Sequence, residues 1–280
     1  MSLQGGDCIL MYHGTPRRDG GALARQLACL GMLFDVVPLR ELVYPRKGLR
    51  RRVALTFDDG LKSNIEVAYP ILQRLGLTAT FFVCPGLVER GTWLWNHEAR
   101  QRLLSLNTPE REQLATSLGA PAGVEAIIEW MKGLKLAARR EVEEAIRSAT
   151  PDYSPGAAER EEFDLARWSD LRQLDPRVVE VGSHTLSHPI LTSLSPNEVE
   201  SEVRDSRYAL ESRLDRPVSV FCYPNGNLDQ GALEAARRHY RSAVTVESGS
   251  LSGDVDPHRL PRYSAHPRGS LRLARRLAGL

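Results

Sequence analysis

The chain has 280 residues, room for one large domain or two small ones, and a globular chain of that size buries roughly 75% of its extended surface. Its 42% hydrophobic and 26% charged residues are ordinary, and a formal charge of +2 gives no electrostatic case for nucleic acid as a partner. Cys8, Cys29, Cys84 and Cys222 share no ligand-type spacing, and at least three sit in apolar runs, so small core residues in a reducing compartment are expected rather than a disulfide framework.

The start, MSLQGGDCILMYHG, has no basic leader, and no stretch approaches the ~18 apolar residues of a membrane span, so a cytoplasmic protein is expected. Cys8 to Tyr12 reads as a buried strand, Leu23 to Leu33 has helical spacing, and Phe34 to Leu39 returns to an extended pattern. The strand Val53 to Phe57 leads into a helical face over Asn64 to Leu75, where Pro70 is expected to bend or restart the helix. Ala79 to Cys84 supplies another strand. From about Gly91 to Trp168 the pattern is charged and helical, notably over Val124 to Ile146, and reads as a helical insertion in a single domain spanning 1–280. Alternation then resumes with a strand at Val178 to Val181, a helix over Asn197 to Leu214, a strand at Val218 to Tyr223, a helix over Gln230 to His239 and a strand at Ser242 to Val246. Repeated β-then-α units of this size predict an α/β fold of parallel strands covered by helices, as a barrel or an open sheet.

The polar residues of interest follow strands. His13 comes after Cys8–Tyr12, Asp58-Asp59 after Val53–Phe57, His184 and His188 after Val178–Val181, and Pro224-Asn225-Gly226 after Val218–Tyr223. In α/β folds the C-terminal edge of the strands is where active sites are built. Adjacent strand residues face opposite ways, so a turn after Phe57, eased by Gly60, is needed for both aspartates to serve one site. One carboxylate can then ligate a metal while its neighbour takes a proton from water, although spacing alone does not say which. His184 and His188 stand four apart, and a short helical turn is expected to bring both rings to one side. One carboxylate and two imidazoles suit Zn²⁺ first, with Co, Ni, Mn or Fe as alternatives, and leave a position for water.

The segments VALTFDDG (Val53 to Gly60) and SHTLSHP (Ser183 to Pro189) resemble the first two motifs of the polysaccharide deacetylases, the NodB-homology or carbohydrate esterase family 4. ATFFV (Ala79 to Val83), the stretch Trp168 to Leu174 and FCYPNG (Phe221 to Gly226) agree, and the resemblance runs from about Cys8 to Tyr263 around the insertion. It implies a distorted (β/α)₇ NodB-type barrel with one divalent metal, Asp58 as general base, and Asp59, His184 and His188 as ligands. It also implies a backbone N–H from the third motif, at Asn225 beside Tyr223, that steadies the oxyanion. Two departures stand out. The third motif has Cys222 where an arginine commonly pairs with the catalytic aspartate, a loss shared by another branch of the family. Arg262, in LPRY, is a candidate replacement, with a surface or structural role as the simpler reading. No late Leu-His segment supplies the general acid; the branch with an early Tyr-His motif uses that histidine, which falls on His13.

Asn64 is a candidate to line the mouth of the site. Trp93, Trp95, Asn96 and His97 open the insertion, where they either stack on a sugar or, the preferred reading, dock the inserted helices; Trp95 is kept as a candidate substrate-lining residue. Cys222 reads as an inert neighbour of the site. The tail Arg268 to Leu280 is basic and amphipathic, and is expected to cover the barrel end, with peripheral contact to an anionic membrane as the alternative. The function expected is hydrolysis of the N-acetyl group of an amino sugar in a glycan or lipid-linked saccharide. A deformylase or amidase on a non-sugar C–N bond is one alternative. A glycan-binding protein with a decayed site is the other.

Overall fold

A computed structural model describes residues 6–44 and 50–269, together with Leu273 and Leu277. Eight parallel strands run through it: β1 (Cys8–Tyr12), β2 (Asp35–Val36), β3 (Arg52–Phe57), β4 (Ala79–Val83), β5 (Val179–Ser183), β6 (Val220–Cys222), β7 (Ser242–Val244) and β8 (Tyr263–Ser264). They are ordered β7-β6-β5-β4-β3-β1-β8, with β2 pairing at the start of β3. The sheet curls until its edges meet. Leu260 forms a parallel bridge with Val244, and a few residues later Tyr263 and Ser264 pair with Leu10 and Met11 of β1. This is the distorted NodB-type α/β barrel that the sequence resemblance implies.

Alternation along the strands explains why the runs look continuously apolar. Leu10, Tyr12, Val53, Leu55, Phe57, Phe81 and Val181 face the covering helices, while Ile9, Ala54, Phe82, Val220, Cys222 and Val244 fill the barrel interior. Both faces are dry, so neither can be polar except where function or pairing requires it. The helical cover comes from α1 (Gly20–Leu33), α3 (Tyr69–Leu75), α10 (Trp168–Arg172), α11 (Pro196–Leu214) and α12 (Gln230–His239), with the short α2 (Leu39–Leu42) closing the base.

Two local expectations need correction. Phe34 to Leu39 is extended only at Asp35–Val36, and its end enters α2, because Pro38 has the extended geometry that precedes a helix start. The helical face over Asn64 to Leu75 is altered at Pro70 as expected: Asn64–Ala68 is a π-turn, and α3 begins at Tyr69 with Pro70, which has no N–H to donate, in its first turn. The long helix over Val124 to Ile146 is two, α7 (Val124–Lys132) and α8 (Leu136–Ala149), broken at Gly133.

Between β4 and β5 lie α4 (Pro85–Arg90), α5 (Trp95–Ser105), α6 (Thr108–Leu118), α7, α8 and α9 (Ala157–Phe163). The inserted helices have their own core, including Leu103, Ile127, Ile128, Met131, Val142 and Ile146. Among the described residues no helix is long and apolar enough to cross a membrane. Of the basic tail only its first two residues, Leu273 and Leu277 are described; the leucines are buried in the main core, and the rest of that segment lies outside the described residues.

Candidate metal centre and active site

The strand ends place the site. Register pairs Tyr12 with Phe57, and the Asp58 N–H donates to the Tyr12 carbonyl at 2.9 Å, so His13 and Asp58 leave neighbouring strands at one level. Asp58 continues the interior-facing series Ala54, Thr56. Asp59 would point outward on a regular strand, but it adopts φ +74°, followed by Gly60 at +68°. That double left-handed step returns the Asp59 carboxylate to the same side. It is unusual for a non-glycine residue and costs of order 1–3 kcal/mol. Gly60 is required twice over, since a Cβ there would lie 3.3 Å from the Val83 Cα.

The histidines reach the site differently from the helical turn expected. Residues 184–190 form an irregular loop in which Thr185 (φ +65°) and His188 (φ +56°) are both left-handed. The His188 N–H donates to Thr185 Oγ1 at 3.0 Å, closing the loop on a side chain instead of a helical carbonyl. Two residues with positive φ do in four residues what a helical turn would have done. The rings of His184 and His188 sit 4.8 Å apart and nearly perpendicular.

Asp59 Oδ1 lies 3.6 Å from Nε2 of His184 and 3.6 Å from Nε2 of His188, and all three residues are buried. Ligands at about 2.1 Å in tetrahedral geometry are separated by about 3.4 Å, so the donor atoms stand close to the spacing a Zn-type ion needs. Nδ1 of His184 is 2.8 Å from the Cys222 carbonyl, which fixes the tautomer that leaves Nε2 free for a metal. Burial, reinforced by the neighbouring His184, pushes His188 down to about 3, keeping it neutral as a ligand must be. Burial pushes the Asp59 carboxyl up, but the imidazoles that surround it, His184 first, outweigh this and hold it below the ordinary carboxylate range.

Asp58 is paired with Arg262, not with Cys222. Arg262 Nη1 and Nη2 donate to Asp58 Oδ1 and Oδ2, each at 2.8 Å, with Arg262 fully buried and Asp58 nearly so. The simpler reading of Arg262 as a surface or structural residue is therefore corrected. Its guanidinium is further fixed by the Thr245 carbonyl (2.8 Å), Thr56 Oγ1 (3.0 Å) and Cys222 Sγ (3.1 Å). Burial pushes the Asp58 carboxyl up, yet Arg262, aided by His184 and His13, holds it below the ordinary carboxylate range. Cys222 Sγ lies 3.6 Å from Asp58 Oδ2, and burial pushes its thiol up; with Asp58 and His184 it forms a second buried group whose donor atoms stand close together, beside the Asp59, His184 and His188 set.

His13 is exposed at the mouth, and its charge acts on both Asp58 and Asp59. Asn225 is exposed, with φ +56°, and its side chain donates to Asn227 Oδ1 at 2.6 Å. Tyr223 does not join them. Its ring is fully buried, edge-on to Phe221 at 5.1 Å, its hydroxyl donates to the His258 carbonyl, and its N–H is used by Val244. Asn64 is buried, its Oδ1 accepting from Thr15 Oγ1 at 3.0 Å, so it ties the loop after β1 to the loop after β3. Trp95 is not laid open for a sugar: it is buried, and its indole N–H donates to the His188 carbonyl at 3.2 Å. Trp93 likewise docks, donating to Asp164 Oδ1 at 2.7 Å. Neither the Trp95–His188 contact nor the use of the Cys222 carbonyl has a sequence signal, since both depend on how the loops fold back.

The family model for polysaccharide deacetylase matches residues 46–244. YxkH of Bacillus subtilis (strain 168) is 21% identical over 272 residues, spanning 92% of this chain and 71% of that protein. Among solved structures, the Streptococcus pyogenes deacetylase PplD in complex with acetate superposes with a TM-score of 0.65 at 19% identity, covering 97% of this chain and 98% of that one. IcaB from Ammonifex degensii superposes with a TM-score of 0.62 at 17% identity, covering 98% and 97%. These two share the fold over nearly their full length.

Proposed function

The chain belongs to the polysaccharide deacetylase family, hydrolases that act on carbon–nitrogen bonds, and from that premise we propose that it removes the N-acetyl group of an amino sugar in a glycan or glycolipid. The observation that carries this reading is the buried, bidentate Arg262–Asp58 pair standing beside the Asp59, His184 and His188 donors. A divalent ion held by those three donors, Zn²⁺ first among the candidates, would lower the pKa of water and polarise the acyl carbonyl.

The chain's own residues account for the rest. Asp58 is held ionised, so it accepts the proton of the attacking water. Arg262 occupies one lone pair on each Asp58 oxygen and fixes the carboxylate plane, and with the Cys222 thiol directed at Oδ2, Oδ1 is the oxygen that keeps a second lone pair for that proton. The Asn225 backbone N–H, set by a left-handed residue after β6, is the donor assigned to the oxyanion of the tetrahedral intermediate. His13, exposed at the mouth and within electrostatic reach of both aspartates, delivers the proton to the departing sugar nitrogen.

The reading as a decayed binding protein rests on the missing motif arginine and the missing late histidine. Arg262 supplies the equivalent charge from the segment between β7 and β8, beside Cys222, which supports an intact enzyme. The experiment is acetate release from a panel of N-acetylated oligosaccharides and lipid-linked amino sugars, with N-formyl and non-sugar amides alongside, using chelated and Zn²⁺-loaded protein. Metal-dependent acetate from the sugars supports the proposal; turnover of the non-sugar amides alone overturns it.

A further inference from the structure

The two metal-binding histidines are supported in different ways. His184 has its ring oriented by a hydrogen bond from Nδ1 to a carbonyl, the usual support of an imidazole ligand. His188 has none: its Nδ1 is buried without a partner. Its backbone is left-handed, a conformation that persists in a histidine only where the surroundings impose it. The orientation of the His188 ring must therefore come through its main chain.

That main chain is gripped from the insertion. The Trp95 indole N–H donates to the His188 carbonyl at 3.2 Å, and Ile190, two residues on, is buried in the insertion's own core with Trp95 and Ile128. Trp95 is itself pinned, because the Arg139 guanidinium lies 4.6 Å over its ring. Arg139 is 4% exposed, bonds Glu143 through Nε at 2.9 Å, and leaves Nη1 without an acceptor. Burying a guanidinium with an unmet donor is costly, and the Glu143 carboxylate and the indole face together compensate its charge.

We propose that the insertion is a brace for the metal centre, with Trp95 a positioning residue for His188 and Arg139 the residue that fixes Trp95. This rests on Asp59, His184 and His188 being the metal ligands. Removing the indole N–H leaves His188 free to relax from its left-handed geometry, swinging Nε2 away from Asp59 and weakening the metal site while the barrel stays folded. Losing an outer-shell partner of a ligand typically costs about 10- to 100-fold in metal affinity.

The test is Zn²⁺ affinity of the full chain, by competition with a chromophoric chelator, with thermal unfolding of the metal-free protein as a check on folding. Trp95→Phe is expected to weaken Zn²⁺ by about tenfold or more. Arg139→Lys, which keeps the charge but loses the planar stack, is expected to weaken it by a smaller factor. Tyr153→Leu, which breaks the other cation–π pair of the insertion (Arg102 over Tyr153, 5.0 Å) away from the histidine loop, is expected to leave it unchanged. Wild-type affinity in both Trp95→Phe and Arg139→Lys overturns the brace while leaving the metal site standing. A loss in Tyr153→Leu as large as in Trp95→Phe also overturns it, since the effect is then general loosening. No saturable binding by the wild type overturns the metal reading itself.

Discussion

Replacing Arg262 by methionine removes the one countercharge bonded to Asp58 among the described residues and leaves a buried carboxylate without it. The pair is bidentate, with both contacts at 2.8 Å; Arg262 is fully buried and Asp58 keeps only a sliver of exposure. Breaking such a buried pair from one side costs about 3–5 kcal/mol, because the remaining charge is stranded. The variant can escape that cost by protonating Asp58, which disables it as a base. The sign follows from the folded state: Asp58 is depressed by Arg262, so it contributes stability above the unfolded carboxylate pKa, and loses it as pH falls through the folded value. In Arg262→Met the contribution reverses, so the stability gap to wild type is small in acid and widens towards neutral pH. Taking about 3 kcal/mol through to the transition state, kcat/KM at neutral pH falls by about 10² or more. The acid limb of the pH–rate profile moves upward. Urea unfolding across the same pH range checks the stability part. An unmoved acid limb, with a stability gap that does not vary with pH, would refute the role given to Arg262.

The other groups give simpler outcomes. His13→Gln, at an exposed position, is expected to lower kcat by about 10²–10⁴ with metal content and unfolding temperature unchanged; a wild-type rate would remove His13 from the mechanism. Brief alkylation of the native protein is expected to modify Cys29 alone, because Cys8, Cys84 and Cys222 are buried with thiols pushed up by burial, whereas denaturant exposes all four. Rapid native labelling of Cys222, read by mass spectrometry, would show the thiol to be accessible and ionised.

Much of the site was legible because strands write their register into the sequence. Ala54, Thr56 and Asp58 share one parity on β3, and Cys222 faces the same interior, so their meeting follows from period-two alternation once the sheet is curled. The strand ends carrying His13, Asp58, His184 and Asn225 were visible for the same reason. What was not legible lies in loops and long-range closure. A two-residue strand such as β8 leaves no periodic trace, yet it is the return past β7 to β8 that carries Arg262 across to Asp58. The turn after Phe57 was expected from Gly60, but the left-handed pair Thr185 and His188 that replaces a helical turn is not glycine and left no comparable sign. Tyr223 was a candidate through the third-motif resemblance, but β6 alternation sends its ring out of the barrel interior and into the helical core.

The most direct measurement compares acetate release by the Zn²⁺-loaded wild type and Asp58→Asn on the best N-acetylated saccharide, with metal bound per chain determined in both. Asp59, His184 and His188 are untouched by this change, so both proteins should carry the same metal, and acetate should come from the wild type alone. Equal rates at equal metal content would contradict the assignment of Asp58 as the base and, with it, the mechanism built on the Arg262–Asp58 pair.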